Sequence, residues 1–451
     1  MTRKIKALLE AKDYSALKAF LAEETPQDIA ASLSETDEKQ LPIVFRVLPK
    51  ELAAETFVEM DPDKQRLLIR SFTDTQLKQI FDELYFDDTV DIIEEMPANV
   101  VKRILKSADA DARRQINELL HFPEDSAGSI MNTEYVTLRP AMTVEEAILR
   151  IRRTGINKET IYTCYVTSPD RILLGVVSVK DLLTSDDGDI VGDIMDTRVI
   201  YAEHDMDKED VARQLIKYDF LAMPVVDREK RLLGIVTFDD AMDVLEEETT
   251  EDIEKMAAIL PSDKPYLKTS VIEIWKKRIP WLLFLMVSAT FTGLIITSYE
   301  SALAASVTLT AFIPMLMDTG GNAGSQSSVT IIRGLALREI TVKDTASVVW
   351  KELRVSLLSG LALAAANFLK IVLIDNMIFH NDVSLNVAAA VCVTLVLVVV
   401  FSKLVGATLS IYAKRVGIDP AVMASPLITT IVDALALLVY FNVAKALIAG
   451  L

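Results

Sequence analysis

The residues of this chain best suited to chemistry are carboxylates, and the sharpest of them stands where a carboxylate is least welcome. Asp433 lies in Thr429-Thr430-Ile431-Val432-Asp433, inside a stretch apolar enough to cross a bilayer. An ionisable group in hydrocarbon is costly and is usually kept for function. Thr429 and Thr430, four and three residues before it, share its helical face, and Tyr440 sits two turns further on. A carboxylate framed by hydroxyls suits a hydrated hard cation, because Mg²⁺ gives up its waters reluctantly and is often held through them. An ion pair with Lys403 is the competing reading. Counted from the same side of the membrane, the two residues lie about 10 and about 12 residues deep, nearly equal depths at ~1.5 Å per residue.

A second polar run, Asp318-Thr319-Gly320-Gly321-Asn322-Ala323-Gly324-Ser325-Gln326-Ser327-Ser328, follows Pro314 in another apolar stretch. Such backbone at membrane depth is tolerated where protein packs it or where it lines a wet cavity. Close helix packing through small residues explains the glycines but does not need Asn and Gln, so both readings stand.

Carboxylates also gather upstream. Asp87, Asp91 and Glu94 or Glu95 fall at i, i+4 and i+7 or i+8, on one face of an expected helix. Like charges there cost stability unless a cation sits among them; a solvated acidic surface is the plainer reading. A third cluster is Glu246-Glu247-Glu248-Thr249-Thr250-Glu251-Asp252.

Composition separates two halves that must position these groups. From Lys276 onward there are 13 Lys/Arg and 9 Asp/Glu; the whole-chain totals of 47 and 65 leave 34 and 56 before it, a net of −22. A front half that acidic repels phosphate and nucleic acid and offers ligands to cations. Cys164 and Cys392 stand alone with only His121, His204 and His380, so no zinc-site spacing exists. No paired nucleophile and base and no P-loop support an enzyme. Met1 to Glu10 lacks the apolar core of an export signal.

Residues 1–127 read as short amphipathic helices in loose repeats, Phe45 to Pro62 and Phe81 to Pro97, stacked into a small superhelix. A clearer repeat follows. Ile130-Met131-Asn132-Thr133 recurs as Ile194-Met195-Asp196-Thr197, and Leu173-Leu174-Gly175-Val176-Val177-Ser178 recurs as Leu232-Leu233-Gly234-Ile235-Val236-Thr237. Each copy predicts strands and helices capped by Ser/Thr and Asp. The pair resembles tandem cystathionine-β-synthase-type (CBS) domains, here 128–189 and 190–247. In that family the positions of Ser178 with Asp181 and Thr237 with Asp240 can hold a nucleotide ribose; plain helix capping accounts for the same residues.

Residues 248–279 read as a connecting helix, and 280–451 as a membrane domain with spans at about 280–298, 302–332, 347–374, 386–412 and 421–449. Basic residues occupy alternate connections: Lys276 to Arg278, Arg333 to Arg354, and Lys414 with Arg415, whereas Tyr299-Glu300 and Asp375 to Asp382 have none. That alternation predicts five crossings with the N-terminus cytoplasmic and the C-terminus outside. The fold class is thus a multidomain membrane protein: an all-α superhelical domain, an α/β CBS pair, a connecting plug helix and five transmembrane helices.

With this domain order, the Gly320 to Gln326 run, Asp419-Pro420-Ala421 and Pro426 to Asp433, the chain resembles the MgtE family of magnesium channels and transporters over essentially its whole length. The resemblance implies Mg²⁺ import through the cell membrane and a homodimer with its pore between subunits, where the carboxylate matching Asp433 selects Mg²⁺. It implies Asp419 at the cytoplasmic mouth near plug residues Glu248, Glu251 and Asp252. It further implies regulatory Mg²⁺ between Asp91 and Glu95 on one side and Asp240 and Asp243 on the other, closing the pore when the ion is abundant, with ATP as a second ligand of the CBS pair. Lys403 is not part of the family pattern. Two other classes fit less well: a nucleotide-gated transporter of another ion, and a metabolite sensor on a membrane anchor, for which one span would suffice.

Overall fold

The computed structural model is described over residues 1–262, 266–267, 269–300, 307–381, 383–423 and 425–448. Residues 302–306, 424 and 449 of the expected spans, 263–265 and 268 of the connecting segment, and Asp382 of a loop lie outside the described residues. The chain divides into two compact units, Met1–Leu245 and Glu246–Leu451, described here one at a time.

The first unit begins with ten helices between Thr2 and Leu119. Their starts follow from the sequence: Asp13, Thr25, Thr73 and Asp109 each accept a backbone N–H of the first turn, and Pro26, Pro42 and Pro62 stand where a missing N–H does no harm. Each helix is too short to persist alone. Leu17, Leu33, Phe57, Leu68, Val90 and Ile104 form one core that continues into Val211, Met223 and Val236 of the second CBS half.

Each CBS half has a three-stranded sheet, β1 (Tyr135–Leu138), β2 (Thr160–Thr167) and β3 (Leu173–Ser178), then β4 (Ala202–Glu203), β5 (Ala222–Val226) and β6 (Leu232–Thr237). In both, the first strand is parallel to the second and the second antiparallel to the third. Cys164 opposite Val177 is matched by Met223 opposite Val236. The halves complete each other crosswise: Asn132 pairs with Ile235 of β6, and Asp196 with Val176 of β3. The repeated glycines belong to this exchange. A Cβ on Gly234 would lie 2.8 Å from Met131 Sδ, and one on Gly175 would lie 2.7 Å from Met195 Sδ.

The connecting helix is not a separate element starting at 248. It is the continuation of the helix that leaves β6, one rod of 19 residues, Phe238–Met256, about 28 Å long. Likewise the first membrane helix starts before the basic cluster: Val271–Ser298 runs through Lys276 to Arg278 and Pro280, with the Ser270 hydroxyl accepting from Glu273 N–H. Among the described residues of the second unit, four helical stretches are long and apolar enough to cross a membrane: Val271–Ser298, Val342–Asn376, Leu385–Arg415 and Pro420–Leu447. Ile313–Ala336 is helical over 24 residues but is not among them, because polar residues from Asp318 to Ser328 fill its middle.

Candidate functional site

The Ile313–Ala336 helix has two faces, and the two readings of its polar run each describe one. On the packed face, a Cβ on Gly320, Gly321 or Gly324 would come within 2.7, 3.0 or 2.9 Å of Val398, Thr429 or Ile428. A Cβ on Gly406 of the Leu385–Arg415 helix would fall 2.3 Å from the Gly324 carbonyl oxygen, and the Ser328 and Ser410 hydroxyls bond across the same crossing at 2.9 Å. The glycines are there for backbone approach. On the other face, Asn322, Ser325, Gln326 and Thr330 line a cavity of about 760 Å³ together with Glu352 and Lys403. Glu352 accepts from the Ser327 hydroxyl at 2.8 Å.

Asp433, half-buried in the Ser425–Leu447 helix, meets a charge that sequence spacing did not point to: Asp318 of the glycine-rich helix is the carboxylate acting on it. Lys403 is only 8% exposed, yet among the described residues no ion pair joins it to Asp433. It belongs to the cavity beside the glycine-rich helix instead. The hydroxyl frame also needs correction. Thr430 donates to Pro426 C=O of its own helix at 3.0 Å, and Tyr440 donates to Leu309 C=O at 2.9 Å inside the apolar core. Thr429 remains on the face toward Gly321.

Asp419 precedes the turn Pro420–Met423 and caps it, its Oδ1 accepting from Ala421 N–H at 2.8 Å. Its Oδ2 lies 2.7 Å from the Lys255 ammonium, which also sits 2.7 Å from Glu251. Desolvation opposes the charge on Lys255, but the hydrogen bonds it donates to Asp419 and Glu251 outweigh it and hold its pKa above the usual lysine value. Glu248 and Asp252 are half-buried on the same helix. Lys255 is the partner the sequence reading missed, although it is the only basic residue between Glu246 and Met256.

In the first unit the expected common face of Asp87, Asp91 and Glu94 divides. Asp91, Glu94 and Glu95 are exposed, as is Asp243, whereas Asp87 and Asp88, in the first turn of the Phe86–Glu94 helix, are drawn in. The fully buried Asn132 amide donates to Asp87 at 3.1 Å and to Glu159 at 3.0 Å. Asp240, bonded by the Thr237 hydroxyl, completes the group. Burial, then the Asp240 charge, pushes Asp87 well above the usual carboxylate range and Asp88 up to about 6. Burial, then Asp240 and Asp239, pushes Glu159 up to about 7. Among the described residues no three Asp, Glu, His or Cys side chains converge tightly enough to hold one bare metal ion. Spaced carboxylates of this kind suit an ion that keeps its water shell.

Ser178 and Asp181 form a reciprocal cap at an exposed helix start, the hydroxyl donating to Asp181 at 2.6 Å. Thr237 is buried, and its partner Asp240 stands among the carboxylates just described. Of the two pairs, Ser178–Asp181 is open to ribose hydroxyls, while Thr237–Asp240 faces a field hostile to phosphate.

Known proteins share this architecture. Residues 313–443 match the family model described as a divalent cation transporter, residues 24–125 the MgtE intracellular N domain, and residues 127–188 and 191–247 the CBS domain. The chain is 38% identical over 98% of its length to the magnesium transporter MgtE of Thermus thermophilus, covering 97% of that protein. It is 31% identical over 96% of its length to that of Bacillus subtilis, covering 94%. A crystal structure of the cytosolic domain of the Mg²⁺ channel MgtE in complex with ATP matches 54% of the chain and 100% of its own, at 37% identity and a TM-score of 0.52. The soluble part of a magnesium transporter matches 55% of the chain and 97% of its own, at 29% identity and the same TM-score.

Proposed function

On the premise that the chain belongs to the MgtE family of divalent cation transporters, we propose that it carries Mg²⁺ across the cell membrane, with Asp433 as the selecting ligand of the path. One observation carries the reading. Within the membrane unit the Asp318 charge acts on Asp433, whose helix packs against the glycine-rich one where a Cβ on Gly320 would lie 3.0 Å from Val432, and neither carboxylate has a cationic partner among the described residues. Two such carboxylates at membrane depth are tolerable when the charge between them is supplied by the cargo. Growth rescue of a magnesium-uptake-deficient cell tests it: rescue by the native chain and its loss on Asp433→Ala are expected, and rescue by the variant would overturn the role of Asp433.

The glycine-rich helix is the second of five crossings in this reading; its 24 residues give about 36 Å, enough for a bilayer core of about 30 Å. The N-terminus is then cytoplasmic and the C-terminus outside. The uncovered Asn322 and Gln326 face, which lipid could not satisfy, supports a homodimer with the path between subunits. Cytoplasmic Mg²⁺ regulates it by bridging Asp240 and Asp243 to the helical domain, through Asp91 and Glu95 at the rim and through Asp87, Asp88 and Glu159 within. The single rod Phe238–Met256 carries Asp239 and Asp240 at one end and Glu248, Glu251 and Asp252 toward the other. ATP is a ligand of the CBS pair, held through Ser178 and Asp181, and supplies a further regulatory signal rather than a reaction.

A further inference from the structure

The family resemblance puts Asp419 at the mouth of the path beside Glu251 of the connector and leaves Lys255 without a task. An exposed lysine–carboxylate pair usually contributes little, but this ammonium is held by two carboxylates at 2.7 Å each, one of them 164 residues away, with its side chain only 24% exposed. The end of the same helix is secured independently. Leu260 N–H bonds to the Lys277 carbonyl at 3.1 Å, the Lys277 ammonium to the Pro261 carbonyl at 2.5 Å, and Glu254 accepts from Ser262 N–H at 2.7 Å. The connector is thus fixed to the first membrane helix at its tip and to the Asp419 turn at Lys255.

We propose that Lys255 is a tethered cation that docks the connector on the Asp419 turn, standing where a divalent ion would otherwise be needed between Glu251 and Asp419. It is a positioning residue: it touches no cargo, and by supplying one permanent charge it sets how much cytoplasmic Mg²⁺ closes the path. This rests on the reading of the chain as a Mg²⁺ transporter. Without Lys255, Glu251 and Asp419 face each other as like charges, and docking depends on free ions alone.

The test uses the full-length protein with two readouts. In proteoliposomes, Mg²⁺ flux is measured while Mg²⁺ is varied on the connector side. Lys255→Gln is expected to raise the half-closing concentration by about fivefold or more, the lower bound of a usual coupling, and Lys255→Arg to stay within about twofold of native. In detergent with EDTA, amide exchange of residues 250–262 is expected to accelerate in Lys255→Gln and not in Lys255→Arg, with the Ile313–Ala336 helix unchanged in both. Unchanged closure and unchanged exchange in Lys255→Gln, or an arginine variant that behaves like the glutamine one, overturns the proposal. If the native protein carries no Mg²⁺, the transport reading fails, and the exchange readout still decides the role of Lys255.

Discussion

Asp88→Asn should make the Met1–Leu245 unit more stable in the absence of Mg²⁺. The Asp88 carboxylate has no hydrogen-bond partner among the described residues, and its pKa is raised from the ordinary 3.8 to about 6 by burial and by the charges of Asp240 and Glu59. A carboxyl whose folded pKa is raised favours the folded state when protonated. Its penalty is therefore absent below about pH 4, grows between about pH 4 and 6, and is full above that. Some two units at about 1.36 kcal/mol each give an upper figure of about 3 kcal/mol. Asparagine has nearly the same shape and never ionises. At pH 8 in EDTA, calorimetry of the full-length protein in detergent should show the transition of this unit raised by about 6–12 °C, taking about 2–4 °C per kcal/mol for a unit of this size. At pH 4 variant and native should coincide. Millimolar Mg²⁺ should narrow the gap at pH 8, because the ion already relieves the repulsion in the native chain. A variant that melts at or below native at pH 8 would refute the reasoning, since it would mean that the Asp88 charge is satisfied rather than crowded.

Gly406→Ala puts a methyl 2.3 Å from the Gly324 carbonyl oxygen, where no side chain can turn aside; a loss of about 1–3 kcal/mol in thermal stability and sharply reduced flux are expected. Tyr440→Phe leaves the Leu309 carbonyl without its donor and should cost about 1–3 kcal/mol, with the flux of folded protein unchanged. Ser178→Ala removes the cap of an exposed helix start, with an expected cost of about 1 kcal/mol. Calorimetric titration should also find it weakening ATP binding more than Thr237→Ala does.

The CBS pair was legible because its signal is internal: two copies of one motif, each with a glycine where the other copy's methionine must fit. Helix starts were legible for a similar reason, since a cap and its helix are neighbours in sequence. Pairings between helices were not. Spacing tells which residues share a face of one helix but not which helix that face meets, so Asp318 beside Asp433 and Lys255 beside Asp419 emerged only in three dimensions. The same limit explains the hydroxyls. Tyr440 lies on a plausible face for a cation, but a buried O–H takes the nearest free acceptor, and Leu309 is 131 residues away. In the Phe86–Glu94 helix, periodicity grouped Asp87 with Asp91. Packing of Val90 and Ile93 into the core then tilted the first turn inward and left Asp91 outside.

The crosswise contacts of the CBS halves mean that the duplication cannot be undone. A cut between residues 189 and 190 would separate Asn132 from Ile235 and Asp196 from Val176, leaving each sheet with an unpaired edge and each glycine with an empty notch. Neither half is a spare copy of the other. A change of side-chain volume at Met131 is answered at Gly234, and one at Met195 at Gly175, so the pair is bound to drift together even where nothing is sensed or carried.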